Sequence, residues 1–129
     1  MKEIEPILPI FPTNNPSKNF PLPKPFEQDI FLFQTHIAGT TYIDDIEAIE
    51  KNLQIDYKLN FYREPNNTYD SGAIVIKTND NLKIGYVPKK DNIVFSRLMD
   101  AGKLLYGKVK SKEKIDDWLK VIIDIYLHE

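Results

Sequence analysis

The segment Arg63-Glu64-Pro65-Asn66-Asn67-Thr68-Tyr69-Asp70-Ser71-Gly72-Ala73-Ile74 gathers two amides, an aromatic ring, two carboxylates and a guanidinium between two segments of strong β pattern. A turn that only reverses the chain needs one or two of Gly, Asn, Asp or Pro. Tyr69 and Asp70 are the residues such a turn explains least. A tyrosine ring offers a flat, sequence-tolerant face worth ~1–3 kcal/mol per stacked base. A carboxylate accepts a hydrogen bond from a hydroxyl and repels a phosphate. The same two residues also fit a blander reading, with Asp70 bonding backbone amides in an Asx turn and Tyr69 covering the edge of the core.

Other candidates carry similar pairs of readings. Tyr42 follows Gly39, whose missing side chain could admit a ligand or another strand; it also fits an exposed strand-end aromatic. Asn66 and Asn67 suit either turn formation or polar contacts. Arg63 and Glu64 suit an exposed ion pair of little energetic weight. Lys89 and Lys90 lie before a helix, where solvation is the default and Lys89 is the better placed for a phosphate. Lys108, Lys110 and Lys112 alternate onto one strand face, as a basic stripe or as edge-strand lysines that prevent aggregation.

Catalytic patterns are missing from the sequence. It holds no nucleophile–base spacing, P-loop, metal-ligand cluster or Gly-rich phosphate cradle. Asp70 has no second group for acid–base work, and His36 and His128 lie far from any carboxylate pattern. Neither catalysis nor a resident cofactor or metal is expected.

Bulk properties narrow the classes further. The chain has 129 residues, enough for one domain with a real core, and no cysteine, which excludes disulfides, thiolate zinc sites and cysteine nucleophiles. No apolar run approaches the roughly 18–20 residues of a membrane span, and prolines interrupt any secretory-type signal; with no cysteine, a reducing cytoplasm is the natural compartment, though others are permitted. The net charge of −2 argues against broad coating of nucleic acid, which needs many phosphate contacts. A small site with two or three such contacts remains compatible with it.

The elements that must position these groups can be read from periodicity. Seven of the nine prolines fall in residues 6–25, predicting an extended or irregular Pro-rich arm over 1–29 and a folded domain over 30–129. Ile30–Ile37 is a β-rich run. Ile46, Ile49 and Leu53 share one face of a short helix opened by Asp44 and Asp45. Ile55, Tyr57, Leu59 and Phe61 alternate as a half-buried strand. Ala73–Lys77 and Leu82–Val87 pair as a hairpin through Thr78-Asn79-Asp80-Asn81. Asp91–Ala101 is a helix, capped by Asp91 or Asn92 and closed by Gly102. Leu104–Val109 and Leu119–Leu127 are two more strands. The order β-α-β-β-β-α-β-β predicts a mainly β chain with two short helices, folded as a small closed or nearly closed six-stranded barrel of OB-like or SH3-like type.

Three separated anchors occur in order: Gly39-x-x-Tyr42, the segment 63–74, and Ile84-Gly85-Tyr86-Val87-Pro88-Lys89. Together they resemble the HIRAN domain family over roughly residues 30–127. Domains of that family occur at the N-terminus of Swi/Snf-type helicases acting at stalled replication forks, and as stand-alone bacterial proteins. The resemblance implies an OB-like barrel of six strands and two helices, with ATPase and helicase activities confined to other domains. It implies a non-catalytic module that captures the 3′-hydroxyl end of single-stranded DNA and works beside a helicase or other DNA-processing protein.

By the same resemblance, Tyr42 and Tyr69 sandwich the terminal base and Asp70 bonds the 3′-hydroxyl. Asn66 and Asn67 supply polar contacts, Lys89 takes a phosphate, and Tyr86 completes the site. Thr41 stands where the best-understood member has an arginine, and Tyr86 where it has a histidine. A carboxylate against the terminal hydroxyl would select a free end over a continuing strand by charge alone. A protein-interaction module, docking through the Pro-rich arm or an edge strand, is the alternative function.

Overall fold

The computed structural model describes residues 28–129; expectations for the Pro-rich arm lie outside the described residues. The elements are β1 (Asp29–His36), a 3-10 turn (Thr40–Tyr42), α1 (Ile46–Glu50), β2 (Lys58–Arg63), β3 (Ile74–Lys77), β4 (Lys83–Tyr86), α2 (Asn92–Asp100), β5 (Leu104–Ile115) and β6 (Trp118–His128). The element order is the one the periodicity predicts. All six strands form one curled antiparallel sheet in the order β1-β6-β5-β2-β3-β4.

Period-2 alternation builds the core. Leu119, Val121, Ile123 and Ile125 of β6 turn to the concave side. There they meet Leu59 and Phe61 of β2, Ile74 and Ile76 of β3, and Ile84 of β4, with Phe95 of α2 and Leu53 closing the ends. Burying a branched aliphatic side chain of this kind contributes about 1.5–3 kcal/mol, so this face sets the strand register.

The two ends of the sheet meet at Ala38 and Tyr86. Ala38 N–H donates to Tyr86 O at 2.8 Å, and Tyr86 N–H donates to Ala38 O at 2.9 Å. Gly85 makes this approach possible: a Cβ there would lie 2.4 Å from Ala38 O and 2.5 Å from Ile37 Cγ2, at a φ of +154°. The third sequence anchor is therefore a closure device as well as a candidate binding segment.

At the end of α2 the Gly102 N–H donates to Met99 O at 2.9 Å and Lys103 N–H to Leu98 O at 3.0 Å, a Schellman closure. The N-terminal end differs from expectation, because neither Asp91 nor Asp45 makes a side-chain capping bond. Asp91 instead accepts from Thr35 Oγ at 2.7 Å, tying the helix to β1.

Three local readings are corrected. Ile55 is not in the strand: Asp56 adopts φ 71°, β2 starts at Lys58, and Ile55 is 68% exposed. The left-handed residue resets the alternation that Ile55 was counted into. The lysine stripe is also broken. A register shift between Val109 and Ser111 makes Lys110 the extra residue, so Lys108 and Lys112 project to opposite faces. β5 is interior at Lys108, where it pairs with both β2 and β6, whereas residues 111–115 pair with β6 alone; Lys112 binds Glu50, with its Nζ donating to the Glu50 carbonyl at 2.8 Å. His128, finally, has a carboxylate partner: its Nδ1 lies 2.6 Å from Asp29 Oδ1.

Candidate functional site

The segment between β2 and β3 is held by its own polar groups. Asn67 Oδ1 accepts from the backbone N–H of Tyr69 at 2.8 Å and of Asp70 at 3.1 Å. Asp70 Oδ1 accepts from Gly72 N–H at 2.9 Å, an Asx turn in the sense anticipated by the blander reading. Arg63 braces the turn from beneath. Its guanidinium donates to Ala73 O at 2.6 Å, to Ser71 O at 3.0 Å and, through Nε, to Asp100 Oδ1 at 2.8 Å. Arg63 thus pairs with the end of α2 and not with Glu64.

Glu64 faces the other way. Its Oε1 accepts from Asn67 Nδ2 at 3.1 Å and from Tyr86 Oη at 2.8 Å. Partial burial pushes this carboxyl up, but those two hydrogen bonds and the charges of Lys83 and Lys77 outweigh it and hold it below its ordinary value. Lys83 Nζ donates to Tyr86 Oη at 2.8 Å and sits 4.5 Å from the center of the Tyr86 ring. Glu64 therefore links the turn to β4 at the point where the sheet closes.

These links surround an open cavity of about 760 Å³ whose lining includes Asn66, Asn67, Tyr69, Asp70, Tyr86 and Lys89. That volume is within the usual range of ligand sites. Six of the seven residues singled out from the sequence are thus brought together. Tyr42 is not in the lining; it stands on the 3-10 turn four residues beyond Ala38, which is. Both rings are free of the core, with Tyr42 88% and Tyr69 90% exposed, so neither serves as a core-edge cover. Gly39 has φ 82°, and a Cβ there would meet nothing within 4 Å, so its backbone conformation, not close approach, calls for glycine.

Asn92 is the residue that sequence reasoning missed. It is buried on the first turn of α2 and donates Nδ2 to Asp70 Oδ2 at 2.7 Å. The sequence offered it as a helix cap, and nothing local distinguishes a cap from a tertiary partner. With Gly72 and Asn92 on separate oxygens, the Asp70 carboxylate is oriented and retains acceptor capacity on both. A rigid turn thus presents an exposed ring beside a fixed anion, with Lys89 supplying the positive charge of the lining. Among the described residues no cluster of His, Cys, Asp or Glu is placed to hold a metal ion, and no helix is long and apolar enough to cross a membrane.

The family model for the HIRAN domain matches residues 30–129. A search of curated proteins gives no match. Among solved structures, a Lactobacillus plantarum protein aligns with a TM-score of 0.74 at 28% identity, covering 80% of this chain and 98% of that one. The HIRAN domain of human HLTF aligns with a TM-score of 0.59 at 17% identity, covering 78% of this chain and 81% of that chain, a likeness of fold.

Proposed function

The chain belongs to the HIRAN domain family, a family of nucleic-acid-binding domains, and we propose that it is a non-catalytic module that captures the 3′-hydroxyl end of single-stranded DNA. The observation that carries this reading is the meeting of Tyr69, Asp70, Tyr86 and Lys89 around one open cavity. The Tyr69 ring stacks the terminal base, with Tyr42 as the second face. Asp70 accepts the 3′-hydroxyl on the lone pairs that Gly72 and Asn92 leave open. Lys89 takes the neighbouring phosphate, and Asn66 adds a polar contact from the rim. Asn67 acts as the frame of the turn, since its amide is already committed to Tyr69, Asp70 and Glu64. A helicase or another DNA-processing protein acting on the same end is the partner this role calls for.

The test is a titration of one short oligonucleotide carrying either a 3′-hydroxyl or a 3′-phosphate, followed by tyrosine fluorescence. Tighter binding of the hydroxyl form is expected, because the phosphate would face the Asp70 carboxylate. Equal binding of both removes Asp70 from the mechanism. With about two phosphate contacts, affinity should fall several-fold between roughly 50 and 200 mM salt. A protein-interaction module without DNA binding is the competing reading. It becomes the better account if no oligonucleotide binds at low salt and a protein partner is recovered.

A further inference from the structure

The convex side of the sheet, away from the core, carries a pattern that begins at the cavity with Tyr86 and extends well beyond it. Among the described residues every lysine lying over an aromatic ring is on this side. Lys58 covers Tyr106 at 4.7 Å, Lys77 covers Tyr62 at 5.2 Å, Lys83 covers Tyr86 at 4.5 Å, Lys108 covers Tyr126 at 5.1 Å and Lys120 covers Trp118 at 5.9 Å. The pairing register places Phe31, Tyr126, Tyr106, Asn60, Lys77 and Lys83 opposite one another in a single row across all six strands. Five lysines of a chain of net charge −2 thus share one face, each laid over a ring.

We infer that this convex row is a track for the single strand whose 3′ end occupies the cavity, binding the nucleotides on its 5′ side. The inference rests on the end-capture reading and extends it. Continuity supports it, since Tyr86 lines the cavity and its ring also carries Lys83, the first lysine of the row. The face from Tyr86 to Tyr126 crosses four strand spacings, roughly 20 Å at about 4.8 Å each. That length suits a strand of several nucleotides, within the ~4–16 that a single small barrel accommodates.

The chemistry divides between rings and ammonium groups. Phe31 and Tyr62 expose about half of their surface (53% and 46%) and offer stacking faces. Tyr106 is buried and stacks on Tyr126 with ring centers 5.5 Å apart at 14°, holding that ring in place. A lysine laid over a ring has its ammonium placed in advance, so less side-chain freedom is lost when it meets a phosphate. Acidic groups flank the row as well: Asp124 lies opposite Lys108 and is tied by Gln34 Nε2 at 2.8 Å, Glu113 lies opposite Lys120, Asp29 accepts from Tyr106 Oη, and Glu64 accepts from Tyr86 Oη.

The experiment compares 3′-hydroxyl oligonucleotides of three and twelve nucleotides on the full chain and on the K58Q/K108Q double variant, whose lysines lie away from the cavity. The longer strand should bind the parent more tightly. Its affinity should fall by roughly several-hundred-fold between 50 and 200 mM salt, against about sevenfold for the shorter one, because about four added phosphate contacts steepen the single-strand salt slope. The double variant should lose most of that gain while binding the three-nucleotide ligand as the parent does. Equal affinity for both lengths, or a gain that survives in the double variant, overturns the track and leaves end capture standing. The twelve-nucleotide strand is also titrated with a 3′-phosphate: lysine-dependent binding that is equal for the two ends keeps the face as a single-strand site and removes end capture.

Discussion

Asn92 on the first turn of α2 donates to Asp70 Oδ2 at 2.7 Å across 22 residues of sequence, and so a helix fixes the direction of the carboxylate at the cavity. Replacing Asn92 by alanine leaves that oxygen without its partner and opens space beneath the turn. A loss of about 1–3 kcal/mol in unfolding free energy is expected. The preference for a 3′-hydroxyl over a 3′-phosphate should narrow as well, because the carboxylate loses its orientation. Denaturant unfolding and the paired oligonucleotide titration read the two effects separately; intact selectivity in Asn92→Ala would mean that Gly72 alone orients Asp70.

Tyr69→Ala separates binding from folding. The ring is 90% exposed, so stability should change by no more than about 0.5 kcal/mol. Binding of a short single strand should weaken by ~1–3 kcal/mol, the worth of one stacked base. Tyr42→Ala should behave in the same way if that ring closes the stack from outside the cavity. A variant that unfolds at a clearly lower temperature would assign the ring to structure instead.

Gly85→Ala tests the closure of the sheet. The added methyl would lie 2.4 Å from Ala38 O and 2.5 Å from Ile37 Cγ2, both part of the closure itself. Overpacking of this kind costs typically 1–3 kcal/mol, and Tyr86 would shift with the strand. Thermal unfolding should show the loss, and single-strand binding should fall with it. An unchanged melting temperature would mean that the Ala38–Tyr86 bridge is dispensable.

Acid stability should depend on Asp29. The hydrogen bond from Tyr106 Oη at 2.5 Å, then that from His128, hold the Asp29 carboxyl below its ordinary value of 3.8 against the cost of desolvation. Burial and the neighbouring Asp29 carboxylate push the Tyr106 hydroxyl well above its usual range, so it stays protonated as the donor. A carboxyl depressed by folding stabilises the fold above its unfolded value and ceases to do so as pH falls through the folded value. Asp29→Asn should therefore be less stable than the parent near neutrality and approach it as pH drops below about 3.8. A stability difference that is constant from neutral pH to about pH 2.5 would exclude this linkage.

Much of the fold was legible in the chain because alternation and turn chemistry are local. Leu119, Val121, Ile123 and Ile125 declare an inward face by spacing alone, and Gly102 marks the end of α2. The readings that failed did so at single residues. Left-handed Asp56 displaces Ile55 from β2, and one extra residue at Lys110 sends Lys108 and Lys112 to opposite sides. A period of two cannot survive one inserted residue.

For the candidate site, the sequence by itself determined the contents of the turn from Arg63 to Ile74 and the local bonding of Asn67 and Asp70, since partners two or three residues away follow from backbone geometry. Only the tertiary structure decided which distant groups hold it. Arg63 went to Asp100, Glu64 to Tyr86 and Asp70 to Asn92, separations of 37, 22 and 22 residues. Those pairings exist because β4 folds back beside β3 and α2 packs against β2 and its turn, an arrangement set by the packed core rather than by any segment within it.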